Sequence, residues 1–462
     1  MSTTAVTPRQ RRGLGYGALA LLTYVPALFT APGKVAADTK QYLYLDPDRL
    51  LERAPSMWDP NIGLGTVTHQ NIGYLFPMGP YYWLMEHLGA PDWVAQRLWL
   101  GSLLFFAGLG VLYLARTIGL SGPGAVVAGL AYMLSPYTLH YAARISVILL
   151  PWAALPWLVA LVARALRRGD WRHPAAFAIV IQIVGGVNAT ALVFALIAPA
   201  LWIPYSVWIT REVDWRRALA TIARLGVLTL GASLWWMVGL ATQGQYGINI
   251  LRYTETVKTV STAGVAPEVL RGLGYWFFYG GDKIGNWIEA SIDYTQRQWL
   301  ILASYAVPTL GLLAAAFVRW RYRLYFALLI VVGVAIAVGT HPYGDPSPFG
   351  ALLKAFAGRS TAGLALRSVG RAVPLVALGI AVLLGVGVSA LVPALPPTRH
   401  PSRWSRRDRW SLAAVGLVVA LVVVSLPALW NDTFYGKNLQ RPEAVPDYWT
   451  DAVAALDRKS VV

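Results

Sequence analysis

The chain contains no cysteine, and charged residues make up only 13% of its 462 residues. The first absence excludes disulfide bonds and thiolate metal sites. The second separates the chain from soluble domains, in which about a quarter of the residues are charged. Hydrophobic residues supply 56% of the sequence. This composition predicts a polypeptide that is solvated largely by lipid.

Uncharged apolar segments that are long enough to cross a bilayer recur along the whole sequence. We therefore predict an all-α polytopic membrane protein with about eleven transmembrane helices. The predicted spans are 14–31, 98–115, 120–139, 147–163, 174–187, 189–209, 225–242, 299–318, 324–339, 372–394 and 410–430. The stretch 174–209 is divided in two because Gly185, Gly186 and Asn188 favour a tight turn. The first span follows a basic N-terminus and is interpreted as an uncleaved helix.

The distribution of positive charge orients these spans. With the N-terminus in the cytoplasm, the cytoplasmic segments contain twenty arginines and only four acidic residues, Asp170, Glu212, Asp214 and Asp408. The positive-inside rule then predicts a multi-pass protein of the inner (plasma) membrane with a periplasmic C-terminus. Attraction to anionic membrane lipids accounts for the basic face, so no nucleic-acid partner is predicted. An acidic cytoplasmic partner is the alternative explanation of that face.

Three long segments, about 32–97, 243–298 and 340–371, fall on the outer face in this topology. Long loops on a single face usually carry the function of such a protein. We assign residues 1–431 to a transmembrane domain and 432–462 to a periplasmic tail that looks like the start of a soluble domain. No predicted span has a charged residue at its centre, which argues against an ion pump.

The first outer loop holds the candidate general base. Asp38 follows the first span near the headgroup boundary, where partial desolvation raises a carboxyl pKa above about 3.9 and makes the group a better base. A charge paired with Lys40 or Lys34 is the alternative interpretation. His69 and Gln70 can hydrogen-bond to a polyhydroxylated ligand, and the aromatic residues around them suit sugar stacking or the membrane interface.

Three outer arginines are candidate phosphate ligands. Arg144 lies in the short loop between the third and fourth spans, and Arg367 and Arg371 precede the tenth. Guanidinium groups at headgroup depth can bind phosphate in a bidentate manner. Because Arg367 and Arg371 are four residues apart, they are predicted to share one helix face. Contacts with lipid headgroups, or snorkelling towards them, are the alternatives.

Local patterns predict three further features of the outer loops. Asp46 and Pro47 suit the start of a short interfacial helix. Phe349, Leu352, Leu353 and Phe356 have helical spacing and predict a surface-lying or re-entrant amphipathic helix. The segment 280–283 suits a turn, and the irregular mixture of polar and aromatic residues in 243–298 is typical of a carbohydrate cleft.

Several motifs together resemble the mycobacterial arabinofuranosyltransferase D family. They include Asp38-Thr39-Lys40, Trp58-Asp59-Pro60, the string from Gly73 to Pro80, and Gln96 to Trp99. The resemblance covers essentially the whole chain. It implies a GT-C-like helix bundle, a decaprenyl-phosphoarabinose donor, and arabinan acceptors of arabinogalactan and lipoarabinomannan. The carboxylate assigned to catalysis in that family lies in the first periplasmic loop and matches Asp38. Members of the family are much longer than this chain.

The sequence therefore predicts an inverting membrane glycosyltransferase in which Asp38 deprotonates the acceptor hydroxyl. The predicted substrate-binding residues are Lys40, His69, Gln70, Arg144, Arg367 and Arg371. No set of metal ligands is legible, so no cofactor is assigned and a divalent cation is left open. The alternatives are a polyprenyl-phosphate-dependent mannosyltransferase, and a non-enzymatic lipid flippase or assembly scaffold.

Overall fold

The computed structural model describes residues 8–60, 64–67, 71–392 and 406–459. The α-helices are α1 (Pro8–Phe29), α2 (Tyr42–Leu45), α3 (Pro47–Glu52), α4 (Asn71–Leu75), α5 (Met78–His87), α6 (Asp92–Thr117), α7 (Gly122–Met133), α8 (Leu149–Arg168), α9 (Arg172–Gly185), α10 (Ala189–Pro204), α11 (Trp215–Tyr246), α12 (Val257–Val260), α13 (Ala266–Leu270), α14 (Ser291–Gln296), α15 (Gln298–Phe317), α16 (Arg323–Val338), α17 (Pro348–Arg359), α18 (Thr361–Ala365), α19 (Val373–Leu391), α20 (Arg406–Val424) and α21 (Asp447–Lys459). The strands are β1 (Lys34–Ala36), β2 (Trp58–Asp59), β3 (Thr66–Val67), β4 (Gly281–Asp282), β5 (Gly285–Asn286) and β6 (Gln440–Pro442). They pair antiparallel as β1 with β6, β2 with β3 and β4 with β5.

The all-α membrane fold class is confirmed, because every predicted span overlaps an α-helix. Six helical runs of the described residues are long and apolar enough to cross a membrane, and they are Asp92–Thr117, Ser146–Arg168, Ala189–Ile209, Trp215–Tyr246, Gln298–Phe317 and Val369–Leu391. Three shorter apolar helices are Gly15–Phe29, Arg172–Gly185 and Arg323–Val338. The predicted break within 174–209 is also confirmed, since Asn188 caps α10 by accepting a 2.9 Å hydrogen bond from the Ala191 N–H.

The predicted span 120–139 is shorter in the structure than expected. Helix α7 ends at Met133, and a 3₁₀ turn over Pro136–His140 follows it. The Ser135 hydroxyl accepts a 3.4 Å hydrogen bond from the Tyr137 N–H at the start of this turn. Proline disfavours the helical conformation of the preceding residue, which explains why the helix stops before Ser135. The chain consequently folds back at this end of the bundle and contributes residues to the site described below.

The bundle is organised around α19, almost all of whose residues are buried. A helix that is apolar on all sides belongs in the interior of the bundle. Helix α7 packs against it through Gly124 and Gly385, and a methyl group on Gly385 would lie 2.3 Å from the Gly124 carbonyl oxygen. Small residues allow two helix backbones to approach this closely within a membrane domain.

We predict that Gly385→Ala lowers the stability of the protein by about 1–3 kcal/mol, because overpacking forces α7 and α19 apart. Gly416→Ala is the matched control, since a methyl group at Gly416 of α20 meets no atom within 4 Å. Thermal denaturation of both variants in detergent measures the difference. Equal melting temperatures for the two variants would contradict the close contact.

The connecting segments gather at two ends of the bundle. At one end Arg167 donates 2.8 Å hydrogen bonds to Glu212 and to the Tyr322 hydroxyl, which joins the end of α8 to the segments that follow α10 and α15. At the other end, here called the Asp38 end, β1 pairs with β6, and the Asp432 carboxylate accepts a 2.7 Å hydrogen bond from the Ala31 N–H. The predicted topology groups these segments in the same way, because it places the connections after α8, α10 and α15 on one side of the membrane and the Asp38 segment on the other.

Three local predictions on the Asp38 end are confirmed. The Asp46 carboxylate caps α3 and accepts a 3.2 Å hydrogen bond from the Arg49 N–H. The amphipathic helix of the third loop is α17, and its Leu352 side chain is exposed. The turn predicted near 280–283 is the hairpin of β4 and β5. Short helices and turns therefore form the surface above the buried helices at this end.

Candidate active site

The backbone beside Asp38 is fixed from two directions. The Gln96 side-chain amide forms two hydrogen bonds with the backbone of Ala36 in β1. It accepts a 2.8 Å hydrogen bond from the Ala36 N–H and donates a 3.0 Å hydrogen bond to the Ala36 carbonyl oxygen. On the other edge the Ala37 N–H donates a 2.8 Å hydrogen bond to the Leu439 carbonyl oxygen. Pairing on both edges orders an extended segment that would otherwise be free to move, so Asp38 has a defined position.

Three hydrogen bonds hold the Asp38 carboxylate, which is only 5% exposed. Its Oδ1 atom accepts from the Ser146 N–H at 2.7 Å and from the Thr39 hydroxyl at 2.8 Å. Its Oδ2 atom accepts from the Ser146 hydroxyl, which is oriented by a 3.0 Å hydrogen bond from the Trp99 indole N–H. A carboxylate has about four lone-pair sites. Within the described part of the chain, one site on Oδ2 therefore has no hydrogen-bond donor.

Burial raises the pKa of Asp38 to about 6, while the hydrogen bonds from Ser146 and Thr39 and the charge of Arg97 act in the opposite direction. The predicted rise through desolvation is therefore found. Arg97 is itself buried, donates a 2.9 Å hydrogen bond to the Thr30 carbonyl oxygen, and stacks over the Tyr435 ring. A carboxyl group with a pKa near neutrality can accept a proton efficiently at physiological pH.

Arg144 is attached directly to the Asp38 turn. The Thr39 N–H donates a 2.6 Å hydrogen bond to the Arg144 carbonyl oxygen. The guanidinium group stacks 3.5 Å from the centroid of the Phe277 ring and donates a 3.1 Å hydrogen bond to the Tyr275 hydroxyl. Its Nε–H group is buried and has no acceptor among the described residues. Arg144 thus combines a fixed position with an unused hydrogen-bond donor.

Arg371 approaches the same group of aromatic residues from the start of α19. Its Nη1 atom donates a 3.1 Å hydrogen bond to the Asn188 side chain, and its buried Nε–H group also lacks an acceptor in the described part of the chain. Burial raises the pKa of Tyr275, and the charges of Arg144 and Arg371 both counteract that rise. Burial raises the pKa of Tyr74, the charge of Asp38 adds to that rise, and the charge of Arg371 counteracts it. The structure therefore brings Asp38, Arg144 and Arg371 around one cluster of tyrosines.

The predicted helix face shared by Arg367 and Arg371 is wrong. Ser368 has φ −76° and ψ 59°, outside the helical region, so the four-residue spacing does not align the two side chains. Arg367 donates hydrogen bonds to the Leu364 carbonyl at 2.8 Å and to the Glu255 carbonyl at 2.6 Å. Its Nη2 atom also lies 3.7 Å from the Glu255 carboxylate. Arg367 therefore holds the loop around Glu255 in place.

The remaining predicted residues are placed as follows. Lys40 lies half-buried in the same turn as Asp38, whose hydrogen bonds come from Ser146 and Thr39. His69 and Gln70 lie outside the described residues. Asp48, Glu86 and His87 bring potential ligand atoms within 4.8 Å of one another, but all three are exposed. We assign no metal to this cluster.

Three residues of the site escaped the sequence analysis. Arg97 had a signal, because it is a positive charge on the outer face within the motif from Gln96 to Trp99. Ser146 follows Arg144 closely, but nothing local indicates that its hydroxyl reaches a carboxylate 108 residues away. Tyr275 is one of many aromatic residues in its loop, and composition alone cannot single it out.

Comparisons with known proteins agree on one family. The family model described as "Alpha-(1->3)-arabinofuranosyltransferase, N-terminal GT-C domain" matches residues 22–461. Two curated relatives, both described as alpha-(1->3)-arabinofuranosyltransferase, are 30% identical to the chain. The relative from Mycolicibacterium smegmatis aligns over 455 residues, which are 95% of this chain and 30% of the relative. The relative from Mycobacterium tuberculosis aligns over 454 residues, 94% of this chain and 30% of the relative.

The solved structures show the same architecture. The chain is similar to the cryo-electron microscopy structure of the arabinofuranosyltransferase AftD from Mycobacteria, with a TM-score of 0.71 and 21% identity. This match covers 99% of the chain and 29% of that protein. A mutant of the same protein gives a TM-score of 0.72. The chain thus spans less than a third of the length of the relatives it matches.

Proposed function

Because the chain belongs to the family of N-terminal GT-C domains of alpha-(1->3)-arabinofuranosyltransferases, we propose that it transfers arabinofuranose from a polyprenyl-phosphate donor to a cell-wall arabinan. The observation that carries this proposal is the placement of a buried, hydrogen-bonded carboxylate beside two arginines with unused donors. Asp38 supplies the base, and Arg144 and Arg371 supply the positive charge. Acid–base chemistry and anion recognition are the two requirements of transfer from a sugar phosphate.

The two arginines are proposed to hold the phosphate group of the donor. A buried N–H group without an acceptor costs about 1–3 kcal/mol, and phosphate oxygens would remove that cost at the Nε atoms of Arg144 and Arg371. Hydrogen bonds between guanidinium and phosphate are charge-assisted and therefore strong. The lipid tail of the donor would lie among the apolar helices. Arg367 would help to shape the wall of the donor site through its contacts with Glu255.

The proposed reaction inverts the configuration of the transferred sugar. The Oδ2 atom of Asp38 takes the proton of the acceptor hydroxyl while that oxygen attacks the anomeric carbon from the side opposite the phosphate. The bond between the anomeric carbon and the phosphate oxygen breaks, and its electron pair leaves with the phosphate. Arg144 and Arg371 stabilise the negative charge that develops there. Phosphate is a good leaving group, so the mechanism requires no general acid.

We propose that the Asp38 end faces the periplasm, across the inner membrane from the arginine-rich segments. The support is the positive-inside rule, since the opposite end carries Arg167, Arg321 and their neighbours around Glu212. In this orientation donor and acceptor meet on the outer surface of the membrane. The N-terminus then lies in the cytoplasm.

The test is a transfer assay with the 462-residue chain in membrane vesicles, using synthetic polyprenyl-phosphate donors that carry arabinofuranose or mannose. Arabinofuranose is expected to be transferred to an arabinan oligosaccharide with inversion. The base must be deprotonated, so the rate should fall as the pH drops below the Asp38 pKa of about 6. Preference for the mannose donor would favour the mannosyltransferase alternative. Movement of donor across the bilayer without transfer would favour a flippase.

Ser146→Ala separates this pH dependence from general loss of structure. The Ser146 hydroxyl lowers the pKa of Asp38, so its removal should move the acid limb of the rate profile to higher pH. Ser146→Thr keeps a hydroxyl group and should restore the original limb. An acid limb at the same pH in all three proteins would contradict the assignment of Asp38 as the titrating base.

A further inference from the structure

A second cleft on the Asp38 end has the lining of a saccharide site. It has a volume of about 590 Å³ and lies in the loop between α11 and α15. Its lining includes aromatic and hydroxyl-bearing side chains together with one carboxylate: Thr259, Thr262, Glu268, Trp276, Tyr279 and Trp287. This residue set is separate from Asp38, Arg144 and Arg371. The mechanism proposed above makes no use of it.

The β4–β5 hairpin holds Trp287 in a fixed position at this cleft. The Trp287 N–H donates a 3.0 Å hydrogen bond to the Gly280 carbonyl oxygen, and its indole N–H donates a 3.2 Å hydrogen bond to the Asp282 carboxylate. The indole ring lies directly against Gly280, where a methyl group would meet the ring at 2.2 Å. Only glycine leaves room for the ring in this position. The hairpin therefore fixes the Trp287 ring in the lining of the cleft.

A second indole completes the aromatic wall. The rings of Trp276 and Trp287 are nearly perpendicular, with an interplanar angle of 87° and centroids 5.9 Å apart. The Trp276 indole N–H is buried and has no acceptor among the described residues. Aromatic rings bind the apolar faces of other groups, and a tryptophan N–H usually finds a hydrogen-bond acceptor when it is buried. A sugar ring offers both an apolar face and hydroxyl oxygens.

The charge balance of the cleft favours a neutral ligand. Glu268 forms a 2.6 Å ion pair with Arg271 and accepts a hydrogen bond from the Tyr279 hydroxyl. The Tyr305 hydroxyl also donates a 3.3 Å hydrogen bond to this carboxylate. Among the described residues, one of its about four lone-pair sites therefore remains for a hydroxyl donor, and Arg271 neutralises its charge. Thr259 and Thr262 add hydroxyl groups to the lining. An anionic ligand would meet a carboxylate here, whereas a neutral polyol meets hydrogen-bonding groups of both kinds.

Stacked side chains connect the lining of the cleft to Arg144. The Trp287 ring stacks on Phe277 with centroids 4.6 Å apart and an interplanar angle of 26°. The Arg144 guanidinium in turn stacks on Phe277, 3.5 Å from the centroid of the phenyl ring. A ligand that rests on Trp287 is therefore separated from the proposed phosphate site by one phenyl ring.

We propose that this cleft binds a neutral sugar residue of the acceptor chain and so presents the next residue to the site of transfer. The identity of the sugar as arabinofuranose rests on the function proposed above. The geometry of the cleft does not depend on catalysis, so binding can be measured without turnover.

The test measures binding of a synthetic arabinofuranose tetrasaccharide to the purified chain in lipid nanodiscs by calorimetry and by saturation-transfer NMR. Trp287→Ala removes the stacking surface, and Gly280→Ala displaces the ring without removing it. Each variant should raise the Kd about tenfold, corresponding to a loss of about 1.4 kcal/mol of binding free energy. Trp276→Phe keeps an aromatic ring and removes only the N–H group, and it should weaken binding by a smaller factor.

Trp449→Ala is the matched control, because Trp449 is 56% exposed on α21 and does not line the cleft. It should bind the tetrasaccharide like the wild type. The proposal is overturned if the wild type shows no saturable binding, or if Trp287→Ala and Gly280→Ala bind as tightly as the control. Binding that depends on Trp287, without sugar transfer, would support the assignment of this cleft as a saccharide site and contradict the transferase proposal. Sugar transfer together with binding that does not depend on Trp287 would support the transferase proposal and overturn the assignment of this cleft.

Discussion

Asp38→Asn is expected to lower the rate of sugar transfer at least about 100-fold, because a general base contributes roughly 10²–10⁴ to catalysis. Asparagine has nearly the same shape, and its carbonyl oxygen can accept the hydrogen bonds from the Ser146 N–H and the Thr39 hydroxyl. Its amide group can donate to the Ser146 oxygen, which already accepts from Trp99. The variant therefore keeps its hydrogen bonds and loses only the ability to accept a proton.

The measurement is initial-rate transfer in vesicles, with circular dichroism and thermal denaturation as checks of folding. Asp345→Asn provides the control, since Asp345 is an exposed aspartate in another loop of the Asp38 end. That variant should transfer sugar at the rate of the wild type. A well-folded Asp38→Asn protein with more than half of the wild-type rate would remove Asp38 from the role of base.

Arg371→Gln should reduce kcat/KM for the donor by a factor of about 10²–10³, which is typical of losing one group that stabilises developing charge. Glutamine is shorter than arginine and does not reach Asn188, so the variant loses the positive charge and the hydrogen bond from Nη1 while keeping an N–H group near the position of Nε. Arg371→Lys restores the charge without the planar donor pair, and it should recover only part of the activity because lysine cannot bind phosphate in the same bidentate manner.

Arg359→Gln is the control for this experiment, because Arg359 is an exposed arginine at the end of α17. Donor titrations with each variant separate binding from turnover through KM and kcat. If Arg371→Gln and Arg359→Gln have the same donor kinetics, Arg371 does not contact the phosphate. A loss restricted to the melting temperature would assign Arg371 to the stability of the loop instead.

The sequence predicted most of the helical framework because lipid imposes strict conditions on it. Backbone groups inside a bilayer must be satisfied within the helix, so apolar segments such as 225–242 have one stable structure. Local signals also worked where the chemistry is local, as with the chain break at Asn188 and the Asp46 cap of α3. The position of Asp38 after the first helix could be recognised, and so could the cause of its raised pKa.

The arrangement of the site could not be read from the sequence because it depends on contacts between distant segments. Asp38 and Ser146 are 108 residues apart, and no periodic pattern connects them. The helical spacing of Arg367 and Arg371 was misleading because Ser368 leaves the helical conformation between them. Pairing between two three-residue strands at opposite ends of the chain gives no signal above the background of short extended segments.

Because β1 pairs with β6, the surroundings of Asp38 are built from residues near both ends of the sequence. Gln440 lies opposite Ala36, two residues before Asp38, so the segment after α20 is part of the scaffold around Asp38. The first and final tenths of the polypeptide are paired beside Asp38. Docking of β6 on β1 therefore completes the surroundings of Asp38, and an N-terminal piece that ends at α20 would lack one edge of this candidate site.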